Sequence, residues 1–421
     1  MATLDEYYED IDAKQATIEV WIAGYKIPQV LHAEWHFAIA QVPSARIRVP
    51  NPPPDVAIYF ANVYINASFN NVITREFTGK VIHVNPDERG CWIECIGKSW
   101  PLDFEFHKVV YTFSSVTAEA AITAMLDAAG ITDYNVDVPA WTIGTVVEQT
   151  LEFQTYGEAI MKVAEVDGCR WYEAPTGTVR VEECDQIPSL TIWRNYFSMS
   201  LTGTTESYPA GITEGRPRLR RLQAAQRVRE TKNQVFVRGA TYTQTNADGT
   251  ETPIDVEAEA SAPSPWVLKP DGSQAYNDLL FSNELIDTEA KAAEVAVRLV
   301  VLHNRLLQQV TAPIDADPQV MLRRTVRIED PDYTRLSGRW FTESYRTALS
   351  QNDFKTDLRL LGGAEAGGPI NVSPFALFTY SADRQVMGDR LWAIVTLDAT
   401  ASFDADGSIV SWAWADNQAP Q

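Results

Sequence analysis

From Thr17 onward, apolar and polar residues alternate with the period of two that turns one face of a strand toward a core. Thr17-Ile-Glu-Val-Trp-Ile-Ala alternates in this way, and Ser44-Ala-Arg-Ile-Arg-Val sets Ala45, Ile47 and Val49 on one side. Further strands are predicted at Val56-Ala-Ile-Tyr-Phe60, at Gly79–Val84 and at Gly90–Ile96, with Pro50–Pro54 as punctuation. Short strands at this spacing suggest a sandwich or barrel.

The period changes near Ser115. In Thr117–Gly130, apolar residues fall at Ile122, Met125, Leu126 and Ala129, one face of a helix that Gly130 would stop. Thr155-Tyr-Gly-Glu158 reads as a capping box opening a second helix, with Ile160, Val163 and Ala164 turned inward and an end at Gly168. A hairpin turning at Pro175–Gly177 follows. Strands then return: Gln234-Val-Phe-Val-Arg-Gly and Thr241-Tyr-Thr-Gln-Thr precede a turn at Asn246-Ala-Asp-Gly249. A helix from Asp287 to about Arg305, capped by Asp287 or Thr288, carries Val295, Leu299 and Leu302 on one face. Strands at Thr325–Glu329, Arg339–Ser344 and Thr356–Leu361 close this section. The glycine-rich run Gly362–Pro369 is the best linker candidate, and a short segment of different character lies beyond it. The pattern therefore describes an α+β, mainly β chain: two strand-rich blocks flanking one small helical module.

Length and composition narrow the function classes. A chain of 421 residues with 45% hydrophobic and 22% charged residues is long enough for several cores. Its 56 acidic against 35 basic residues give a formal charge of -21, which disfavours stable nucleic-acid or anionic-membrane binding. No apolar run reaches the ~18–20 residues of a membrane span. The acidic N-terminus, Met1-Ala-Thr-Leu-Asp-Glu-Tyr-Tyr-Glu-Asp, does not read as a signal peptide, so assembly in a cytoplasm is expected.

Candidate chemistry is sparse. His32-Ala-Glu-Trp-His36 differs from the zinc-protease pattern H-E-x-x-H, because Glu34 is two positions after the first histidine and the context alternates. On a strand, His32, Glu34 and His36 would share a solvated or interface face. His83, His107 and His303 are scattered. Cys91 and Cys95 would point to one strand face, and with Cys169 and Cys184 they read as reduced structural thiols. Asp404-Ala-Asp-Gly407 lacks the further ligands of a calcium loop and reads as a turn. The densest basic patch, Arg216, Arg218, Arg220, Arg221, Arg227 and Arg229, reads as solvated arginines or as a docking surface for an acidic partner. No catalytic, cofactor-binding or metal-binding residue is assigned, and no cofactor is expected.

Two resemblances add to this reading. Phe77-Thr-Gly79-Lys-Val81, Trp92–Gly97, Ser115–Ile131, Thr155–Gly168, Gly177–Glu182, Asn233–Gly239 and Gly338–Gly363 occur in an order that resembles the central hub family of phage tails. That family includes the late-control D proteins and the hub part of the type VI secretion spike. The approach to the last strands departs from the family at Asp317-Pro-Gln-Val-Met-Leu-Arg-Arg, which lacks a glycine. Leu397–Trp414 is similar to the opening strands of a PKD domain, though the later strands of that module have no counterpart before Gln421. These strands are therefore expected to pair with another chain or with further sequence.

The hub resemblance implies a first tube-like β-domain at 1–110, an α+β module with two helices at 111–189, and a second tube-like β-domain with an inserted helix at 190–363. A linker and partial PKD-like segment occupy 364–421. It implies a non-enzymatic structural protein of the virion tail tip or baseplate that caps the tail tube as a homotrimer. Its partners would be a tail tube or distal tail protein ring, tip, fibre or spike proteins, and the C-terminus of a tape-measure protein. Host attachment and DNA ejection would be the processes served. A tail-tip enzyme acting on glycan or peptidoglycan and a carbohydrate-binding adhesin are the alternatives from other classes. If DNA passes such a hub, Asp and Glu should outnumber Lys and Arg on the channel wall, with Arg216–Arg229 turned away from it.

Overall fold

The computed structural model describes residues 17–50, 59–69, 72–88, 90–104, 110–152, 155–183, 188–193, 223–226, 231–246, 249–264, 267–269, 271–304, 308–315, 320, 322, 325–329, 338–350, 353–362, 379–387 and 390–398. Arg216–Arg221, Arg227, Arg229, Cys184, His107, Asp317 and Asp404–Gly407 lie outside the described residues, as does the PKD-like stretch beyond Asp398. The chain divides into two units, Met1–Ala364 and Glu365–Gln421.

In the first unit, the opening block holds β1 (Thr17–Ile22), β2 (Tyr25–Lys26), β3 (His32–Ala38), β4 (Ser44–Val49), β5 (Asn62–Phe69), β6 (Val72–Asp87) and β7 (Gly90–Gly97). The alternation is realised as predicted: in β3, Ala33, Trp35 and Phe37 are buried while His32, Glu34 and His36 are half-buried on the opposite face. Residues 56–58 of the strand predicted at Val56–Phe60 fall outside the described residues, and Tyr59 and Phe60 form a turn instead. Phe60 sits at φ 64° there, a conformation incompatible with a strand.

The middle of the unit begins with a short α1 (Pro101–Phe104), then β8 (Val110–Phe113), β9 (Val116–Thr117), α2 (Ala118–Ala128), β10 (Tyr134–Asp137), β11 (Thr142–Ile143) and β12 (Gln149–Glu152). It continues with α3 (Tyr156–Glu165), β13 (Arg170–Glu173) and β14 (Val179–Glu182). Both predicted helix starts are built as read. Thr117 caps α2, and Thr155 and Glu158 form a complete capping box on α3. Gly130 and Gly168 follow the two helices with φ of 76° and 73°, the left-handed backbone that ends a helix at little cost to glycine. Ile122, Met125, Leu126, Ile160, Val163 and Ala164 are buried.

The later block comprises β15 (Pro188–Trp193), β16 (Gln223–Gln226), β17 (Gln234–Thr245), β18 (Glu251–Ser261), β19 (Asp278–Ser282), α4 (Glu289–His303), β20 (Gln308–Asp315), β21 (Thr325–Glu329), β22 (Gly338–Ser350) and β23 (Asp353–Gly362). Thr288 is the N-cap of α4, and Val295 and Leu299 face inward; Leu302, expected on the same buried stripe, is half exposed in the last turn. A separate three-stranded sheet, β18-β17-β19, packs against α4.

The two strand-rich blocks share one 13-stranded sheet, whose main path runs β16-β20-β23-β22-β3-β4-β7-β6-β5-β1-β2. The junction is β22 against β3, antiparallel, with Thr347 opposite Trp35 and Tyr345 opposite Phe37. One apolar core lies under both blocks and includes Trp35, Phe37, Ile47, Phe77, Trp340 and Leu358. Across the junction Phe37 stacks on Tyr345 at 5.2 Å between ring centroids, and Trp35 meets Phe354 edge-on at 6.2 Å. Each such ring removed from water contributes roughly 1.5–3 kcal/mol, so the junction is held by side chains as well as by its ladder. The fold is thus α+β and mainly β.

The second unit contains a two-stranded antiparallel hairpin, β24 (Thr379–Met387) with β25 (Arg390–Asp398).

Candidate functional site: the polar face of the shared sheet

Because strand side chains alternate, the sheet that buries Trp35 and Ile47 must present a second face of the same width. On β3 that face carries His32, Glu34 and His36, which lie opposite Arg48, Arg46 and Ser44 of β4. Arg48 and Arg46 lie in turn opposite Trp92 and Glu94 of β7. On the other side of the junction, His36 lies opposite Arg346 of β22, which faces Asp357 of β23. The predicted sharing of one face by His32, Glu34 and His36 is therefore seen, with arginines on both neighbouring strands.

The charges on this face are coupled pairwise. Arg346 donates to Glu34 across the junction, and His32 Nε2 lies 3.3 Å from the same carboxylate. Arg46 meets Glu94 at 3.7 Å and Arg48 meets Asp87 at 3.2 Å. Farther along, Arg359 meets Glu343 at 2.7 Å and Lys355 meets Asp357 at 4.0 Å. At the far edge Lys26 pairs with Glu19. Trp92 lies among these groups, with the Arg46 and Arg48 guanidinium carbons 4.2 and 5.3 Å from its ring centroid and His32 edge-on at 5.8 Å.

These neighbours set the protonation of the face. Burial pushes the Glu34 carboxyl upward, but hydrogen bonds from Arg346 and His32 outweigh it and hold the group below the ordinary carboxylate value. Burial, reinforced by the Arg346 charge, lowers His36 from its ordinary value and favours the neutral imidazole. Among the described residues no group of three or more His, Cys, Asp or Glu side chains is placed to hold a metal ion. Cys91, Cys95 and Cys169 are buried thiols, and burial raises both Cys91 and Cys95.

Two buried carboxylates that the sequence reading passed over join the helical module to its neighbours. Glu173, 1% exposed, accepts hydrogen bonds from the backbone amides of Lys98 at 2.9 Å and Ser99 at 2.8 Å. It ties β13 to the turn after β7, and a Cβ at Gly97 would run into its carboxylate, which accounts for a glycine at that motif position. Asp167, 2% exposed, receives Lys291 at 2.7 Å and Arg298 at 3.3 Å, fastening the end of α3 to α4. Their only sequence signal was adjacency to motif glycines and to the predicted hairpin.

Comparison with known proteins matches this architecture. No protein-family model matches the chain. No curated protein matches it in sequence either. Among solved structures, the fold is that of phage tail proteins. The tail protein from Neisseria meningitidis superposes with a TM-score of 0.56 at 12% identity, over 82% of this chain and 96% of that one. The 43 kDa tail protein of prophage MuSo2 from Shewanella oneidensis gives 0.53 at 11% identity, over 82% and 97%. Prophage tail protein gp18 from Listeria monocytogenes gives 0.51 at 10% identity, over 83% and 95%.

Proposed function

We propose that the chain is a structural hub of a phage tail tip or baseplate, closing the end of a tail tube as a homotrimer. In this reading residues 1–110 and 190–363 are the two tube-like domains and 111–189 the module between them. Three copies then present six tube-like domains to a sixfold tube, and distal tip, fibre or spike proteins attach on the other side. The observation that carries the reading is the edge-to-edge union of two strand-rich blocks in one sheet, within a fold shared with a prophage tail protein over 82% of the chain. A heterologous contact repeated around an axis closes only at a fixed rotation, and a rigid sheet through both blocks supplies a fixed angle between them.

The test is location in the particle. Gold-labelled antibodies raised against the chain should decorate one end of the tail, distal to the capsid; decoration along the tail shaft or on the capsid contradicts the assignment. The reading assigns no catalysis. Alanine at Glu34, His36 or Glu158 should alter stability or assembly only, and a cell-wall zymogram should show no clearing by the parent chain. Clearing that vanishes in one of these variants would favour a glycan-processing enzyme instead.

A further inference from the structure

We propose that residues 231–304 form a hinged lobe that docks reversibly on the helical module through a charged joint centred on Asp167. The inference goes beyond the tail-tip reading and does not rest on it.

Topology sets the lobe apart. It is inserted between β16 and β20, which are hydrogen-bonded neighbours with Gln226 opposite Gln308. On the lobe side Lys232 N donates to His303 O at 2.9 Å, so the chain enters and leaves the lobe side by side. The lobe also has a core of its own. Ala292, Val295, Ala296 and Leu299 recur at helical spacing along α4 and are buried. The helix packs on β17 and β18, where Val235, Val237 and Val256 are buried. The apolar core under the 13-stranded sheet contains no described residue of 231–304.

The same periodicity sets Lys291, Glu294 and Arg298 together on another side of α4. Asp167, just after α3, takes both cations; the Asp167, Lys291 and Arg298 side chains are 2%, 14% and 27% exposed. The bonds around this triad are polar too. Val146 N donates to Asp287 Oδ2 at 2.8 Å, and Lys162 meets Glu284 at 2.6 Å. Asn283 Nδ2 donates to Lys162 O at 2.8 Å and to Glu165 Oε1 at 3.3 Å. The Lys291 ammonium lies 5.5 Å from the centroid of the Trp141 ring. Desolvation offsets much of the attraction between such charges, whereas an apolar interface gains with the area it buries. Each ion recovers its hydration when the joint opens. A joint of this kind fixes orientation while closed and permits relative motion of the parts it connects.

The experiment uses the full chain carrying Cys184→Ser, with spin labels at Glu119→Cys on α2 and Glu251→Cys on the lobe, both exposed positions. Cys91, Cys95 and Cys169 are buried away from the labelling reagent. The parent should give one dominant distance. Asp167→Asn leaves two cations without their carboxylate and should add a second, longer population. The Val146 amide, held by Asp287 of the lobe, should exchange with solvent roughly 100-fold faster in that variant. Amides of Val235 and Val256, inside the lobe, should keep their parent rates. If that variant fails to fold, Asp167→Leu with Lys291→Met and Arg298→Met carries the test with the opposite sign. Replacing a whole buried ion cluster by apolar side chains is neutral or stabilising. The triple variant should therefore keep the short distance and slow exchange at Val146. An unchanged distance in folded Asp167→Asn overturns the inference, as does loss of protection at Val235 and Val256 together with Val146. Faster Val146 exchange in the triple variant overturns it too. None of these outcomes depends on particle labelling, which tests the tail-tip reading by itself.

Discussion

Asp167 and Glu173 show how a single carboxylate can decide the placement of a whole module. Asp167 is buried with two cations, and removing one partner of such a group leaves uncompensated charge inside. Asp167→Ala should destabilise the chain by about 3 kcal/mol in urea unfolding, whereas Lys162→Ala, which breaks the exposed Lys162–Glu284 pair, should cost under about 1 kcal/mol. Equal effects would show that Asp167 is not the fastening it resembles. Glu173 has a pH signature. Burial raises its carboxyl above the ordinary value of 4.5, against the lowering effect of the Ser99 and Lys98 hydrogen bonds. Between the ordinary and the raised value, the folded chain keeps a proton that the unfolded chain has released. Stability contributed by this group must therefore fall as pH rises through that window. The parent-minus-Glu173→Gln stability difference should decline with rising pH above 4.5; a difference that grows contradicts the assignment. Neither residue was legible in the sequence, because acidic residues are plentiful and burial depends on contacts between segments far apart in the chain. Ala45, Ile47 and Val49 were legible as one side of a strand from their alternation alone, and all three are buried.

Local elements were read best where backbone chemistry is local. The α3 capping box closes with Thr155 N to Glu158 Oε2 at 3.2 Å and Glu158 N to Thr155 Oγ1 at 3.1 Å, bonds that depend on four consecutive residues. Thr155→Ala should cost about 1 kcal/mol, measured by chemical denaturation, and Thr155→Ser should restore most of it; no loss on Thr155→Ala would show that the box is idle. The hairpin at Asn246–Gly249 was legible for the same reason, with Gly249 at φ 82° and Asn246 N donating to Thr250 O at 2.8 Å. Reading failed where tertiary context overrode pattern. Tyr59 and Phe60 have the composition of a strand, yet they turn, Phe60 donating its amide to Val81 O of β6 with its ring tilted against Trp100 at 5.9 Å between centroids. Leu302 continues the helical stripe of Val295 and Leu299, but the last turn of α4 leaves it 50% exposed.

At the scale of the molecule, two strand-rich blocks were legible from their periodicity, but their union was not. The β22–β3 ladder joins residues about 310 positions apart, such as Arg346 and His36, and nothing in either segment alone names the other. The same distance hid Arg346 as the partner of Glu34, so His32, Glu34 and His36 were correctly set on one face without the charge that organises them. A shared core predicts shared opening. Amides of Trp35 and Phe37 should exchange with solvent at the same slowest rate as those of Tyr345 and Thr347; fast exchange in β22 with slow exchange in β3 would mean that the blocks are independent. A reconstruction of the tail tip tests the proposed trimeric closure of a tail tube. Three copies should surround the tail axis, each placing both strand-rich blocks against the last ring of the tube, in pseudo-sixfold register. A single copy at that position, or a ring of six identical chains, would contradict it.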